Sequence, residues 1–171
     1  DNKIKNTHLN IDLGGIAKGY ATSIASQYLE DNNITNYIIN AGGNVAVGES
    51  YNKKYFNIGI EDPTKSSEIY KIIKGNNISV ATSGGYERFY EYEGIKYHHI
   101  IDPDTLFPAN NMLSVTVIAN DSKIADIMST ILFLLPVNEA LDLVNSLTDI
   151  EAIFYIDEDN IITSKGFNKY E

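Results

Sequence analysis

Hydrophobic residues recur at helical spacing near the start of the chain. Ile16, Tyr20, Ile24 and Tyr28 are four residues apart, with Leu29 beside them. This period places them on one side of a helix, so the pattern predicts an amphipathic helix over residues 17–31.

Two further helices are predicted in the second half of the chain. One covers residues 122–135, with Asp121 or Ser122 as its N-cap and Pro136 ending it. The other covers residues 138–146.

Most of the remaining sequence has the composition of β-strands. Eight segments are rich in β-branched and aromatic residues: 37–40, 55–61, 69–74, 78–82, 87–92, 95–101, 113–119 and 151–156. Glu93 and Gly94 form a short hairpin turn between two of them. Strands and helices occur in blocks rather than in strict alternation. The pattern therefore predicts an α+β fold, a largely antiparallel sheet with helices packed on it.

Charge and composition exclude several kinds of function. The net charge of −10 repels phosphate backbones, so we expect no nucleic-acid partner. A phosphate-bearing small ligand would need a metal ion or local backbone donors to offset that repulsion. The chain has no cysteine, which excludes disulfides, thiolate nucleophiles and zinc–thiolate sites. No apolar run approaches the ~20 residues of a membrane span.

Two glycine pairs follow strand-like segments. Asp12 is followed closely by Gly14-Gly15 and then by a helix start with Lys18, where free N–H groups and a cation suit an anion. A plain tight turn before a helix explains the same residues equally well. Gly42-Gly43 could also free the backbone for a ligand, or simply form a hairpin loop with positive φ.

The third segment contains the glycine pair Gly84-Gly85 and, further along, two adjacent histidines. In a strand, His98 and His99 point to opposite faces, which argues against a paired metal site. Asp102 follows at the strand end and places a carboxylate near His99. A histidine in a strand is nevertheless more often structural than catalytic.

The fourth segment lies on the predicted second helix. Asp126 and Thr130 are four residues apart and therefore share one helix face. Their oxygens could bind a hard cation such as Mg²⁺. The alternative is that this narrow polar strip only faces solvent.

Taken together and in order, these segments resemble the ApbE family of flavin transferases. The resemblance rests on six stretches that span nearly the whole chain: DLGGIAKGYA, NAGGN, IGIEDP, ATSGGYERFYE, YHHIIDP and ADIMST. It implies an ApbE-like, T-fold-related α+β fold, in one catalytic domain over residues 1–171 that lacks the family's N-terminal portion.

The resemblance also implies the site residues. It assigns Mg²⁺ to Asp126, Thr130 and a backbone carbonyl, for which we choose Gly15. It implies His99 and then Asp102 as catalytic candidates. The residues expected around FAD are Asp12, Lys18, Gly42, Gly43, Thr82, Ser83 and Gly84.

The implied reaction is Mg²⁺-dependent transfer of FMN from FAD to a threonine or serine of an acceptor protein, with release of AMP. Hydrolysis of FAD to FMN and AMP, or flavin binding without turnover, are the alternatives. The family further implies a place on the extracytoplasmic face of a bacterial cytoplasmic membrane, with anchoring through the missing N-terminal segment.

Overall fold

The structure, a computed structural model, describes residues 8, 10–86 and 88–171, with the backbone alone at Lys53. Within this part of the chain the helices are α1 (Ala17–Asp31), α2 (Ser122–Leu134) and α3 (Val137–Ser146). The strands are β1 (Ile38–Ala41), β2 (Asn44–Val47), β3 (Phe56–Glu61), β4 (Ile69–Gly75), β5 (Ile78–Gly84), β6 (Phe89–Tyr92), β7 (Ile95–His98), β8 (Ser114–Ala119), β9 (Ile150–Asp157) and β10 (Asn160–Thr163). No described helix is both long and apolar enough to cross a membrane.

Six strands form one antiparallel sheet in the order β1-β2-β5-β8-β9-β10. Two separate hairpins, β3–β4 and β6–β7, accompany it. The predicted α+β fold with a largely antiparallel sheet is thus confirmed.

The central sheet is buried on both faces because each face carries its own apolar cluster. On one face, Val115, Val117 and Phe154 pack with residues of α2 and α3. On the other, Ile118 and Ile153 pack with the β3–β4 hairpin. Successive residues of a strand alternate between these faces. This alternation decides which side chains of β5 reach the helices.

Helix α1 has the predicted bounds, but its apolar stripe does not face the core. Tyr20, Ile24 and Tyr28 are all exposed, whereas Gly19 and Thr22 are buried against the rest of the molecule. Small residues allow α1 to approach α2 closely. The four-residue spacing therefore predicted the helix correctly, while the buried face is the one that carries the small residues.

The predicted set of strands needs three corrections. The segments that form β2 and β10 were not predicted, and β7 ends at His98 rather than at residue 101. Phe89 and His98 are the last cross-strand pair of the β6–β7 hairpin. Beyond His98 the chain turns, and Asp102 N–H donates to the carbonyl of Phe107. The predicted start of β6 at Glu87 lies outside the described residues.

Candidate functional site

The start of α1 meets the middle of α2 at a glycine–aspartate contact. The backbone N–H of Gly19 donates to Asp126 Oδ2 over 2.7 Å. A methyl group on Gly19 would lie 2.5 Å from the carbonyl oxygen of Ser122 and closer still to Asp126 Cβ, so only glycine permits this approach. Asp126 is 7% exposed. A carboxylate from α2 therefore caps a free first-turn N–H of α1.

One helical turn further along α2, Thr130 lies beside Gly15. The position of a Cβ on Gly15 would be 3.5 Å from Thr130 Oγ1. That hydroxyl is also 3.4 Å from Ser83 Oγ, which in turn is 2.9 Å from Ser129 Oγ. The structure thus places two of the predicted metal ligands, Gly15 and Thr130, side by side at the α1–α2 contact, one helical turn along α2 from the third, Asp126.

The oxygen donors around this contact suit a hard cation. Asp126 supplies the carboxylate, Thr130 a half-buried hydroxyl, and Gly15 an exposed backbone. No donor to Asp126 Oδ1 is found among the described residues. Nor do these residues contain a cluster of three His, Cys, Asp or Glu side chains. This donor set fits Mg²⁺, which keeps several waters and needs only one or two carboxylates.

The first two glycine segments lie next to each other. Lys18 Nζ donates to the carbonyl of Gly42 over 3.2 Å, which joins the start of α1 to the β1–β2 turn. Gly42 and Gly43 both have positive φ, so the hairpin-loop interpretation of this segment is confirmed. Both glycines are exposed, but the N–H of Gly43 already donates to Asn40 Oδ1 over 3.0 Å.

Asp12 stabilises the turn that precedes α1. Its Oδ1 accepts the N–H of Gly14 over 2.6 Å, and the carbonyl of Leu13 accepts the N–H of Ala17. The N–H of Lys18 has no acceptor among the described residues. A free N–H with a lysine ammonium beside it is an arrangement that binds phosphate oxygens.

The end of β5 divides its predicted ligands between the two faces of the sheet. Ser83 faces α2 through Ser129, but Thr82 Oγ1 pairs with Thr116 Oγ1 at 2.8 Å on the opposite face. At Gly84, the space that a Cβ would take is occupied by the ring of Tyr86, at 2.5 Å. Of these three, only Ser83 joins the α1–α2 site through its side chain.

The two histidines have different surroundings, although His99 lies beyond the end of β7, so strand alternation does not set its direction. His98 Nε2 lies 2.7 Å from the carbonyl of Ala109, and its ring packs edge-on against Phe133. Since Nδ1 accepts the N–H of Ile100, Nε2 carries the proton and both nitrogens are occupied. His99 is exposed, and its Nδ1 is 3.4 Å from the carbonyl of Arg88. His99 is therefore the freer ring.

Asp102 holds the turn that follows the histidines. Its Oδ1 accepts the N–H groups of Asp104 and Thr105 at 2.8 and 3.3 Å. The bond from Asp104, followed by the contacts of Thr105, lowers the pKa of Asp102 despite partial desolvation. A carboxylate with a lowered pKa is a weak base. This favours His99 over Asp102 as the group that accepts a proton.

Gly19 is the site residue that the sequence analysis missed. Its signal was present, because Gly15, Gly19, Thr22 and Ser26 form a row of small residues at spacings of four, three and four. Such a row marks the side on which a helix can approach another backbone closely. The prediction for α1 followed its apolar residues and therefore did not single out Gly19.

Comparison with known proteins identifies the family. Residues 1–154 match the model of the ApbE family. The chain is 39% identical to FAD:protein FMN transferase of Klebsiella pneumoniae over 91% of its own length and 48% of that relative, and 33% identical to the Treponema pallidum enzyme over 92% and 47%.

Two solved structures share the fold. The ApbE protein of Thermotoga maritima superposes with a TM-score of 0.86 at 35% identity, covering 94% of this chain and 53% of that one. The flavin transferase ApbE of Vibrio cholerae gives a TM-score of 0.81 at 28% identity, covering 94% and 52%. The chain spans about half the length of these relatives. On the family match and these identities, the chain belongs to the ApbE family.

Proposed function

We propose that this chain provides the catalytic site of an FAD:protein FMN transferase. The observation that carries the proposal is the α1–α2 contact. There Gly19 binds Asp126 and Gly15 lies beside Thr130, within a family whose relatives are named for this activity. The substrates are FAD and an acceptor protein that presents a threonine or serine hydroxyl.

Mg²⁺ is the proposed metal, held by Asp126, Thr130 and the carbonyl of Gly15. When bound, it would neutralise charge on the pyrophosphate as a Lewis acid and template. A chain with a net charge of −10 needs such a cation to accept a dinucleotide. Lys18 supplies a second positive charge at the start of α1, beside its own backbone N–H, for which no described residue is an acceptor.

The chain's own residues bind and orient the reacting groups. The N–H of Lys18 and its ammonium bind phosphate oxygens. The acceptor hydroxyl attacks the phosphorus next to the riboflavin moiety, the bond from that phosphorus to the bridging oxygen breaks, and AMP leaves with the oxygen. His99 takes the proton of the attacking hydroxyl, which contributes roughly 10²–10⁴-fold in rate. The product is a phosphodiester between FMN and the acceptor.

The test is incubation with FAD, Mg²⁺ and a threonine-containing acceptor, followed by mass spectrometry and quantification of AMP. Covalent FMN on the acceptor with one AMP released supports the transferase. Free FMN with AMP identifies hydrolysis instead, and unchanged FAD indicates binding alone.

Two carboxylate variants make the test specific to the site. Asp126→Asn should abolish Mg²⁺-dependent turnover, while Asp142→Asn, an exposed change on α3, should leave it intact. Equal activity of the two variants at low Mg²⁺ would contradict the metal assignment.

A further inference from the structure

Three hydroxyl groups form a connected series between β5 and α2. Ser129 Oγ is 2.9 Å from Ser83 Oγ, and Ser83 Oγ is 3.4 Å from Thr130 Oγ1. At the other end of the series, Ser129 Oγ donates to the backbone carbonyl of Asp126 over 2.8 Å. We name Ser129, Ser83 and Thr130 the hydroxyl network. It joins the side chain of one proposed metal ligand to the backbone of another.

The direction of each hydrogen bond in the hydroxyl network follows from the number of protons. A hydroxyl group has one proton to donate and two lone pairs that accept. The carbonyl of Asp126 can only accept, so the proton of Ser129 is committed to it. Ser129 therefore accepts from Ser83, whose proton is committed in turn. Only one donor remains for the last contact, so Thr130 donates to Ser83.

Burial makes the opposite direction unfavourable. Ser129 is 1% and Ser83 9% exposed, so both side chains are shielded from solvent. If Ser83 donated to Thr130 instead, lone pairs of Ser83 and Ser129 would face each other at 2.9 Å with no proton between them. An unsatisfied polar contact of this kind is costly inside a protein. The fold therefore fixes the direction in which the threonine hydroxyl donates.

The network leaves the lone pairs of Thr130 available to a cation. Its proton is directed at Ser83, and no described residue donates to its oxygen. The same oxygen lies 3.5 Å from the position of a Cβ on Gly15. A hydroxyl that binds a metal ion presents a lone pair to the ion and needs a separate acceptor for its proton. Ser83 is such an acceptor, and a bound cation would make Thr130 a stronger donor to it.

We propose that Ser83 and Ser129 are positioning residues for the metal ligand Thr130. They hold the threonine hydroxyl with its proton turned towards β5, so that a lone pair is presented to Mg²⁺. The inference rests on the proposed function, which places Mg²⁺ at Thr130. Hydrogen-bond partners of metal ligands typically change metal affinity by about 10–100-fold when they are removed. The distance of 3.4 Å is long for a hydroxyl bond, so the effect should appear in metal binding rather than in stability.

Calorimetric titration of Mg²⁺ in the presence of FAD tests this role independently of turnover. Ser83→Ala should weaken Mg²⁺ binding by about 10–100-fold. Ser83→Thr keeps a hydroxyl at the same position and should restore most of the affinity. Ser129→Ala should also weaken binding, because Ser83 then loses its acceptor and donates to Thr130 instead.

Ser79→Ala is the matched control for these variants. It removes the same hydroxyl from the same strand, at 4% exposure. Residues four apart in a strand share a face, so Ser79 lies on the face of Ser83 but roughly 13 Å along the strand from it. Its Mg²⁺ affinity should equal that of the parent. Equal affinities in Ser83→Ala and Ser79→Ala would overturn the positioning role.

Neutron diffraction from crystals of the deuterated protein without metal observes the hydrogen-bond directions themselves. The deuteron of Thr130 should be directed at Ser83 Oγ, and the deuteron of Ser83 at Ser129 Oγ. A deuteron of Ser83 directed at Thr130 would overturn the proposal whatever the metal affinities are.

Failure of the metal assignment gives a different pattern from failure of the positioning role alone. If Thr130→Val and Ser83→Ala both bind Mg²⁺ as the parent does, the metal assignment is wrong and the positioning role falls with it. If only Thr130→Val is impaired, the positioning role is wrong and the proposed function stands. Absence of covalent FMN on an acceptor would refute the proposed function without changing either binding result.

Discussion

Replacement of Gly19 by alanine tests the α1–α2 contact most sharply. The added methyl would lie 2.5 Å from the carbonyl of Ser122, where ordinary contacts begin near 3.4 Å. Helix α1 must therefore move outward by about 1 Å, and overpacking of this kind costs about 1–3 kcal/mol. The same movement stretches the 2.7 Å bond from Gly19 N–H to Asp126.

The expected change in the free energy of unfolding combines two losses with one gain. Loss of a hydrogen bond to a charged group costs about 1.5–3 kcal/mol. The better helix propensity of alanine returns about 1 kcal/mol. We therefore expect Gly19→Ala to lower the free energy of unfolding by about 2–4 kcal/mol. For a chain of this size the melting temperature should fall by roughly 8 °C.

Urea denaturation of parent and variant measures the change, with calorimetric titration of Mg²⁺ in the presence of FAD as a second readout. Gly15→Ala is the matched control for the urea denaturation alone, because its added methyl would keep an ordinary distance of 3.5 Å from Thr130 but would lie beside the proposed metal ligands. A Gly19→Ala protein as stable as the Gly15→Ala control, with unchanged Mg²⁺ affinity, would refute the close contact.

The other predictions concern single side chains. Thr130→Val should weaken Mg²⁺ binding at least about 10-fold in calorimetry, with little change in stability because its hydroxyl bond of 3.4 Å is long; unchanged affinity would remove Thr130 from the metal site. His99→Ala should lower turnover by about 10²–10⁴-fold without destabilisation. His98→Ala should instead lower the melting temperature, since it leaves the Ala109 carbonyl unpaired and a gap beside Phe133; the reverse pattern would exchange their roles. The pKa of Asp102 is lowered in the folded state, so its stabilisation is present above the unfolded pKa near 3.9 and lost as pH falls through the folded value. Asp102→Asn should consequently destabilise the protein more at pH 7 than at acidic pH, and a pH-independent difference between the two proteins in denaturation curves would count against this.

The sequence predicted the helices well because their signals are local. Helix α1 has the predicted bounds, and Asp121, one of two predicted N-caps, accepts the N–H of Lys123 at the start of α2. Pro136 ends α2 near the predicted position, since the residue before a proline is driven to extended geometry. Caps and prolines act within a few residues, so no tertiary information was needed.

Long-range contacts decided what the sequence could not show. The four-residue strands β2 and β10 form because longer neighbours pair with them, which local composition does not report. Thr82 and Ser83 are adjacent in sequence, yet the sheet separates them onto opposite faces. The close approach of Gly19 to Asp126 joins residues 107 positions apart. The family resemblance supplied the site residues, and only the fold shows which side chains meet.

A crystal structure of the protein grown with FAD and Mg²⁺ would test the central claim most directly. We predict a metal ion coordinated by Asp126 and Thr130 at distances near 2.1 Å, with the pyrophosphate between that ion and the start of α1 at Lys18. A metal bound elsewhere, or a pyrophosphate on the opposite face of the sheet beside Thr82, would contradict it.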